Sequence, residues 1–443
     1  MTKFRTPAVA SIMLMVLAGP AVAQNAPAQY DIALALDPAG SALSVVVEAS
    51  GLPCQGDVAR VYLNRGLTLT ETIIDGRPVE PVIDPAGAEP FWIAASRAID
   101  IPCPREKARL SYAGPGQLHR DGRNQVAPEL IELSLYGGWY PMTAIDRPFT
   151  WRLRTALPEG WTFASVGAAS RTEPGRIDVT SDRATDVVLI ASPRFTDDSV
   201  EIDGRRSRVL ISDDAPIEAR QVAAGLAGEA ADMSAWLERV LGPVEEGRQV
   251  RPELVFTRRG GPLSYSRLPL IVTPQASLLA PGDRPLGLNV RHEVAHFWSR
   301  SEGAANDWIS EGVAEHLALV RTGDREGDDT RRSRLDLYRQ QVEAAGRGVS
   351  IADTHTDETR AYINRYQRPA LLLDAVQASV GRPALETFLR RLFALGSSLT
   401  TATFRSLAVE TLGEPQATRI SACLISMDWP EVCGGIDAPR PVT

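Results

Sequence analysis

Histidine and cysteine are scarce in this chain, with five of the first and four of the second among 443 residues. Four cysteines (Cys54, Cys103, Cys423 and Cys433) are too few for a disulfide-built miniature scaffold, and their placement argues against a thiolate metal centre. A basic excess is also missing. Lys and Arg number 47 against 55 Asp and Glu, a formal charge of −8 with no basic stripe, which argues against nucleic acid as a partner. No apolar run is long enough for a membrane span. Internal repeats, collagen-like tracts and coiled-coil heptads are absent too, so the remaining option is an ordinary globular chain.

The first residues read as a targeting segment. Lys3 and Arg5 form a basic start, residues 8–17 are mostly apolar, and Ala21-Val22-Ala23 supplies a small-x-small cleavage site before Gln24. The mature protein is therefore expected to be exported, periplasmic or secreted, without a membrane span. Losing the two basic residues of that segment takes the formal charge to −10. An even cysteine count fits an oxidising compartment. Of three possible pairings, Cys54–Cys103 and Cys423–Cys433 are favoured, because each lies within one expected domain. The chain beyond the signal is too long for a single core and predicts two or three domains.

Between about residues 30 and 195 the apolar pattern has period two, broken by Gly, Pro and Asp. Strands are predicted at 32–36, 43–47, 61–63, 67–74, 110–112, 130–136, 149–157 and 187–190, as an antiparallel sandwich or saddle-shaped sheet. The texture changes near Ser207. A strand at 208–211 precedes Asp213-Asp214-Ala215-Pro216, which reads as an acidic cap with proline in the first helical turn. Val222, Leu226, Met233, Trp236, Leu237 and Val240 give that helix its apolar face, and short strands follow at 254–256 and 270–272. From residue 331 to about 424 the chain reads as helices separated by glycine-containing breaks. The predicted organisation is multidomain α+β: a signal peptide at 1–23, a β-rich domain at 24–200, a catalytic α+β domain at 201–325, and an α-helical region at 326–443.

The chemistry is concentrated in two short segments. His292-Glu293-Val294-Ala295-His296 places two imidazoles four residues apart, hence on one helical face where both can ligate one metal. In a chain with so few histidines, that pentapeptide would arise by chance only roughly a few times per thousand such chains. Glu293 stands beside the first ligand, able to take a proton from a water at the metal. Downstream, Trp308-Ile309-Ser310-Glu311-Gly312-Val313-Ala314-Glu315 offers two carboxylates one turn apart as third ligand, Glu311 and Glu315. Three protein donors leave the fourth position of a tetrahedral zinc open, the mark of a catalytic site. His119, His316 and His355 have no evident partner and read as bystanders.

The two blocks together resemble the gluzincins, the zinc metallopeptidases typified by thermolysin and the M1 aminopeptidase family. The resemblance implies one zinc ion per chain, an N-terminal β-sandwich or saddle, a thermolysin-like α+β zinc domain and a helical C-terminal part. It implies Glu311 as third ligand, because that residue heads the Glu-Gly-x-Ala block. Raw spacing would point to Glu315, but shortening of loop 299–305 absorbs the difference. Glu315 then corresponds to a carboxylate that hydrogen-bonds a ligating histidine. Tyr366-Gln367-Arg368-Pro369-Ala370 stands where M1 enzymes carry Tyr-x-Lys-Gly-Ala, which implies Tyr366 as the oxyanion donor, with Tyr362 one turn earlier as the alternative. The chain departs from the family upstream. Where M1 enzymes carry Gly-x-Met-Glu-Asn, whose glutamate binds the substrate amine, residues 260–269 contain no acid, which weighs against a strict aminopeptidase. Arg267 there would suit a carboxylate or carbonyl, and Tyr265 packing or cleft lining. The implied activity is zinc-dependent hydrolysis of peptide or protein substrates. A retired scaffold acting as a binding or assembly protein, or a zinc hydrolase of non-peptide bonds, stays open.

Overall fold

A computed structural model of the chain describes residues 27–84, 96–119, 122–143, 148–173, 175–202, 204–244, 249–261, 263–280, 284–299, 306–346, 348, 350–353, 360, 362–396, 399–427 and 433. The expected signal segment 1–23, residues 300–305 of the loop between the two sequence blocks, and His355 lie outside them. The architecture is mixed: sheets in the N-terminal part, helices mostly in the C-terminal part.

Period-two patterning produces the N-terminal strands. In Gln29–Asp37 the inward residues Tyr30, Ile32 and Leu34 are buried while their neighbours face out. The largest sheet has eight strands, in the order Ala168–Glu173, Arg176–Ala184, Phe149–Ala156, Gln29–Asp37, Ala42–Ser50, Ala108–Pro115, Thr68–Ile74 and Arg77–Pro78. Two four-stranded sheets accompany it, one built around Val58–Asn64 and Ser96–Pro102, the other around Leu130–Leu133 and Leu189–Ser192. Their apolar faces share one core, which includes Ile32, Val47, Val61, Leu110, Trp139, Trp151 and Val179.

Three details differ from the expectations drawn from the sequence. Gln29–Asp37 and Phe149–Ala156 run parallel, because the chain returns to its first strand after a long excursion. The strand predicted at 130–136 stops at Leu133. The Leu135 amide is taken by the Asp186 carboxylate at 2.9 Å, and the chain turns through a 3₁₀ segment, Leu135–Gly137, that ends at Gly138 with φ 56°. The acidic cap does not form either. The helix starts at Ile217 with no side-chain cap, and Asp214 instead accepts from Ser212 Oγ at 2.7 Å and pairs with Arg194 and Arg258.

A five-stranded mixed sheet comes next, in the order Phe195–Ile202, Arg205–Ser212, Glu253–Thr257, Leu270–Pro274 and Tyr265–Arg267. Helix α1 (Ile217–Leu241) covers one face through Ala219, Ala223, Ala227, Met233 and Leu237. Its alanines let the helix sit close to the strands. The other face meets the Leu130–Leu133 sheet across Leu130, Ile190, Leu210, Val255, Tyr265 and Val272. Helices α2 (Leu286–Ala295), α3 (Asp307–Glu326), α4 (Asp328–Ala345), α5 (Arg368–Val380), α6 (Arg382–Phe393), α7 (Thr401–Leu412) and α8 (Glu414–Ile425) follow among the described residues. Glycines 346, 381 and 413, all at positive φ, end α4, α5 and α7. Disulfides join Cys54 to Cys103 and Cys423 to Cys433. Among the described residues, no helix is long and apolar enough to cross a membrane.

The seam between the β-rich part and the five-stranded sheet holds a fully buried ion pair, Arg259 with Glu132. Tyr265 also donates to Glu132 Oε1, at 3.2 Å. Arg259→Met should cost about 3–5 kcal/mol, since it strands a buried carboxylate, and the Arg259→Met/Glu132→Leu double variant should recover most of it. Thermal unfolding of the three proteins checks this, and equal losses in single and double variants would contradict it.

Candidate metal centre

Helix α2 has its last residue at Ala295, and His296 continues in helical conformation, so His292 and His296 share one face of a closing turn. Helix α3 faces them. Trp308, Ile309, Val313, Leu317 and Val320 are buried and fix its rotation, which leaves Glu311 and Glu315 turned toward α2. Three donor atoms converge. His292 Nε2 and His296 Nε2 are 3.0 Å apart, and Glu311 Oε2 lies 3.2 Å from the first and 3.1 Å from the second. A tetrahedral zinc with bonds near 2.0–2.1 Å has donor–donor edges of about 3.3 Å. The triangle fits one face of that tetrahedron, and His292, His296 and Glu311 form a group able to hold a metal ion.

Each ring is also tied on its far side. His292 Nδ1 lies 2.8 Å from Glu315 Oε2. Glu315 is itself fully buried, bound by Arg284 Nη2 at 2.5 Å and by the Tyr338 hydroxyl. His296 Nδ1 lies 3.2 Å from Ser310 Oγ, whose own proton goes to the Ser299 carbonyl at 2.7 Å. Ser310 Oγ is thus left as an acceptor, and a proton on Nδ1 of each ring leaves both Nε2 lone pairs aimed at the metal position. Arg365 lies 3.8 Å from Glu311 Oε1 and pairs closely with Asp307. Glu293, next to His292 in the chain, is buried.

Tyr366 arrives on a π-helical turn, Ile363–Gln367, that runs into α5. Its ring stacks on His292, centroids 5.4 Å apart and planes 21° from parallel, and its hydroxyl reaches Glu311. Tyr362 stacks behind it at 4.9 Å and is half exposed. The Gly312 of the Glu-Gly-x-Ala block has a steric reason: a Cβ there would lie 2.2 Å from Pro369 Cβ. Only glycine lets α3 and the start of α5 approach this closely. Pro369 has no amide to donate, and it falls where the π-helical turn Ile363–Gln367 runs on into α5.

The other candidates fall elsewhere. His316 lies on α3 away from the donors, hydrogen-bonded to Gln377, and burial pushes it down to about 3. His119 is not part of the donor group. Arg267 is on the edge strand, its Nε 3.1 Å from Asp186. Tyr265 is buried in the seam. Three contributors were not expected from the sequence: Ser310, Arg284 and Tyr338. Of these only Ser310, beside Glu311, carried a local signal.

Burial and the Arg284 guanidinium push His292 down, but the Glu311 and Glu315 carboxylates outweigh them and hold it up at about 9. Burial would raise Glu315, yet Arg284, His292 and Tyr338 bring it down to about 2. For His292 the sign is that of a raised base. The proton-bound form stabilises the metal-free protein below the ordinary value of 6.5, and the effect is lost as pH rises through about 9. A divalent metal must displace that proton, so uptake at pH 7 should release about one proton, and affinity should fall as pH is lowered. Titration calorimetry in buffers of different ionisation enthalpy reads the release. Metal binding with no buffer dependence at pH 7 would contradict it.

No protein-family model matches this sequence, and no curated protein matches it either. Solved structures do. The M1 zinc metallopeptidase of Deinococcus radiodurans superposes with a TM-score of 0.66 at 18% identity, over 90% of this chain and 95% of that one. A structure of that metallopeptidase in mutant form, bound to a Tyr-Ser-Ala substrate, superposes with a TM-score of 0.64 at 18% identity, over 90% and 94%. Leukotriene A4 hydrolase of Saccharomyces cerevisiae superposes with a TM-score of 0.66 at 16% identity, over 92% of this chain and 67% of that one. Over most of its length, the chain has the fold of the M1 zinc metallopeptidases.

Proposed function

We propose that this chain is an exported zinc-dependent metallopeptidase, with His292, His296 and Glu311 as metal ligands. Glu293 is its general base, Tyr366 its oxyanion donor, and Glu315 the carboxylate that orients His292. The observation that carries the reading is the donor triangle of 3.0, 3.1 and 3.2 Å, with each imidazole anchored behind it by an acceptor. The choice of zinc rests on the donor set: two neutral nitrogens and one carboxylate suit that ion. The domain division 1–23, 24–200, 201–325 and 326–443 belongs to the same proposal. So does export to the periplasm or beyond, which the two disulfides support.

When bound, zinc polarises the scissile carbonyl and makes a water acidic enough to attack it at neutral pH. The chain's own residues then move the protons. Glu293 accepts the proton of the attacking water and later hands it to the leaving amine. Tyr366, whose hydroxyl reaches Glu311 here, turns that donor toward the oxygen that gains charge. Burial holds the phenol well above its ordinary range, so it remains protonated and able to donate. A purely structural metal would gain nothing from Glu293, which weighs against a retired scaffold.

Glu293→Gln should abolish peptide hydrolysis while zinc content, measured by emission spectrometry, stays at one ion per chain. Tyr366→Phe should lower kcat by about 10²–10³-fold with KM little changed. Cleavage of a broad peptide library, read by mass spectrometry, is the assay. A Glu293→Gln protein that turns over at the parental rate would overturn the mechanism. A zinc-loaded parent that cleaves nothing would favour the binding-protein reading.

A further inference from the structure

Tyr362 is the outermost ring of a stack that starts at the metal centre. Its ring lies 4.9 Å from that of Tyr366 with the planes 27° apart, and Tyr366 in turn lies 5.4 Å from His292 with the planes 21° apart. A second route joins the same two ends. The hydroxyl end of Tyr362 lies against the Arg284 guanidinium, Arg284 Nη2 binds Glu315 Oε2 at 2.5 Å, and that same oxygen lies 2.8 Å from His292 Nδ1. Ring stack and polar chain close a loop through His292, so Tyr362 is held at one face and at its hydroxyl, in register with the metal ligands.

An aromatic ring tied on two sides is ordinarily a buried one. Tyr362 nevertheless keeps 48% of its surface exposed. Tyr366 covers one face and Arg284 takes the hydroxyl, so the ring's outer face and edge are what is left to solvent. That surface is carbon, and it rewards apolar contact. A ring already fixed loses little rotamer freedom when a partner packs on it, and an aromatic partner gains beyond the area it buries. Distance sets which part of a peptide arrives there. Ring-to-ring steps of 5.4 and 4.9 Å separate Tyr362 from His292, whereas an extended peptide advances about 3.3 Å per residue. The outer face is therefore within reach of a side chain two or more residues from the bond being cut, not of the two that flank it.

We infer that Tyr362 is a specificity-determining residue that receives an apolar side chain of the substrate, aromatic above all, two or more residues from the scissile bond. The inference rests on the peptidase reading and specifies its substrates: peptides long enough to span from the metal to Tyr362, carrying a bulky apolar residue where they meet it.

The test uses zinc-loaded protein and pairs of peptides that differ only by Phe or Ala at one position, scanned outward on both sides of the bond that the protein cleaves. The expected result is a kcat/KM about three- to tenfold higher with Phe at one position two or more residues out, carried by KM. Tyr362→Phe keeps the ring and should keep that ratio, whereas Tyr362→Ala should bring it to about one. The ratio is taken within each protein, so a partial loss of folded enzyme does not alter it. A parent protein with no preference for Phe at any such position would overturn the inference. So would a Tyr362→Ala protein whose kcat falls equally for both members of the pair, the mark of a ring that only supports Tyr366. If no peptide is cleaved, the peptidase reading falls, and calorimetric binding of the same pairs still decides. Tighter binding of the Phe peptide by the parent but not by Tyr362→Ala upholds the role of the ring, whereas equal binding of the pair, or none, overturns it.

Discussion

Two imidazoles and a carboxylate held 3.0–3.2 Å apart set their lone pairs against one another unless a cation or a shared proton lies between them. The surrounding fold is arranged to keep them there. Helix α3 must lie close enough to α2 for Glu311 to reach both rings, and the buried face from Trp308 to Val320 fixes its rotation. Behind His292 stands Glu315, clamped by Arg284 and Tyr338, and behind His296 stands Ser310, turned by the Ser299 carbonyl. Gly312 then lets the start of α5 dock against α3, which lays Tyr366 flat on His292. Removing any of these supports would loosen the donors, and a ligand displaced by about 1 Å loses most of its value in a preorganised site.

The β-rich part is locked onto the five-stranded sheet rather than appended to it. Its Leu130–Leu133 sheet packs face to face on the five-stranded sheet through an apolar layer. Across the same seam run two ion pairs buried from solvent on the acid side, Glu132–Arg259 and Asp186–Arg267. Such pairs add little net stability but select one arrangement, because a shifted seam would strand charges in a dry interface. The Leu135–Gly137 turn is the product of that precision.

The fold class could be read from the chain because its two periodicities are clean. Alternation at Tyr30, Ile32 and Leu34 gives the first strand, and the spacing of Leu226, Met233 and Leu237 gives α1. The two imidazoles and a pair of candidate carboxylates, Glu311 and Glu315, were readable because they lie in one short stretch, and the family resemblance implied Glu311 as the donor. Strand Arg176–Ala184 escaped, since only Ile177 and Val179 alternate inward before Ser181, Asp182 and Arg183 break the pattern. The residues that hold the seam were hidden for a different reason. Asp186 meets Arg267 across 81 positions and Glu132 meets Arg259 across 127, so no local window contains both partners. Tyr338 similarly acquires a role only once α4 folds back beside α3, and Arg284 only once the segment before α2 meets α3.

Zinc K-edge absorption of the purified protein tests the central claim most directly. The account predicts one ion per chain with two imidazole nitrogens and oxygen donors at about 2.0–2.1 Å, and a loss of one oxygen donor or of the metal itself in Glu311→Ala. A spectrum with no imidazole scattering, or one unchanged by Glu311→Ala, would contradict it.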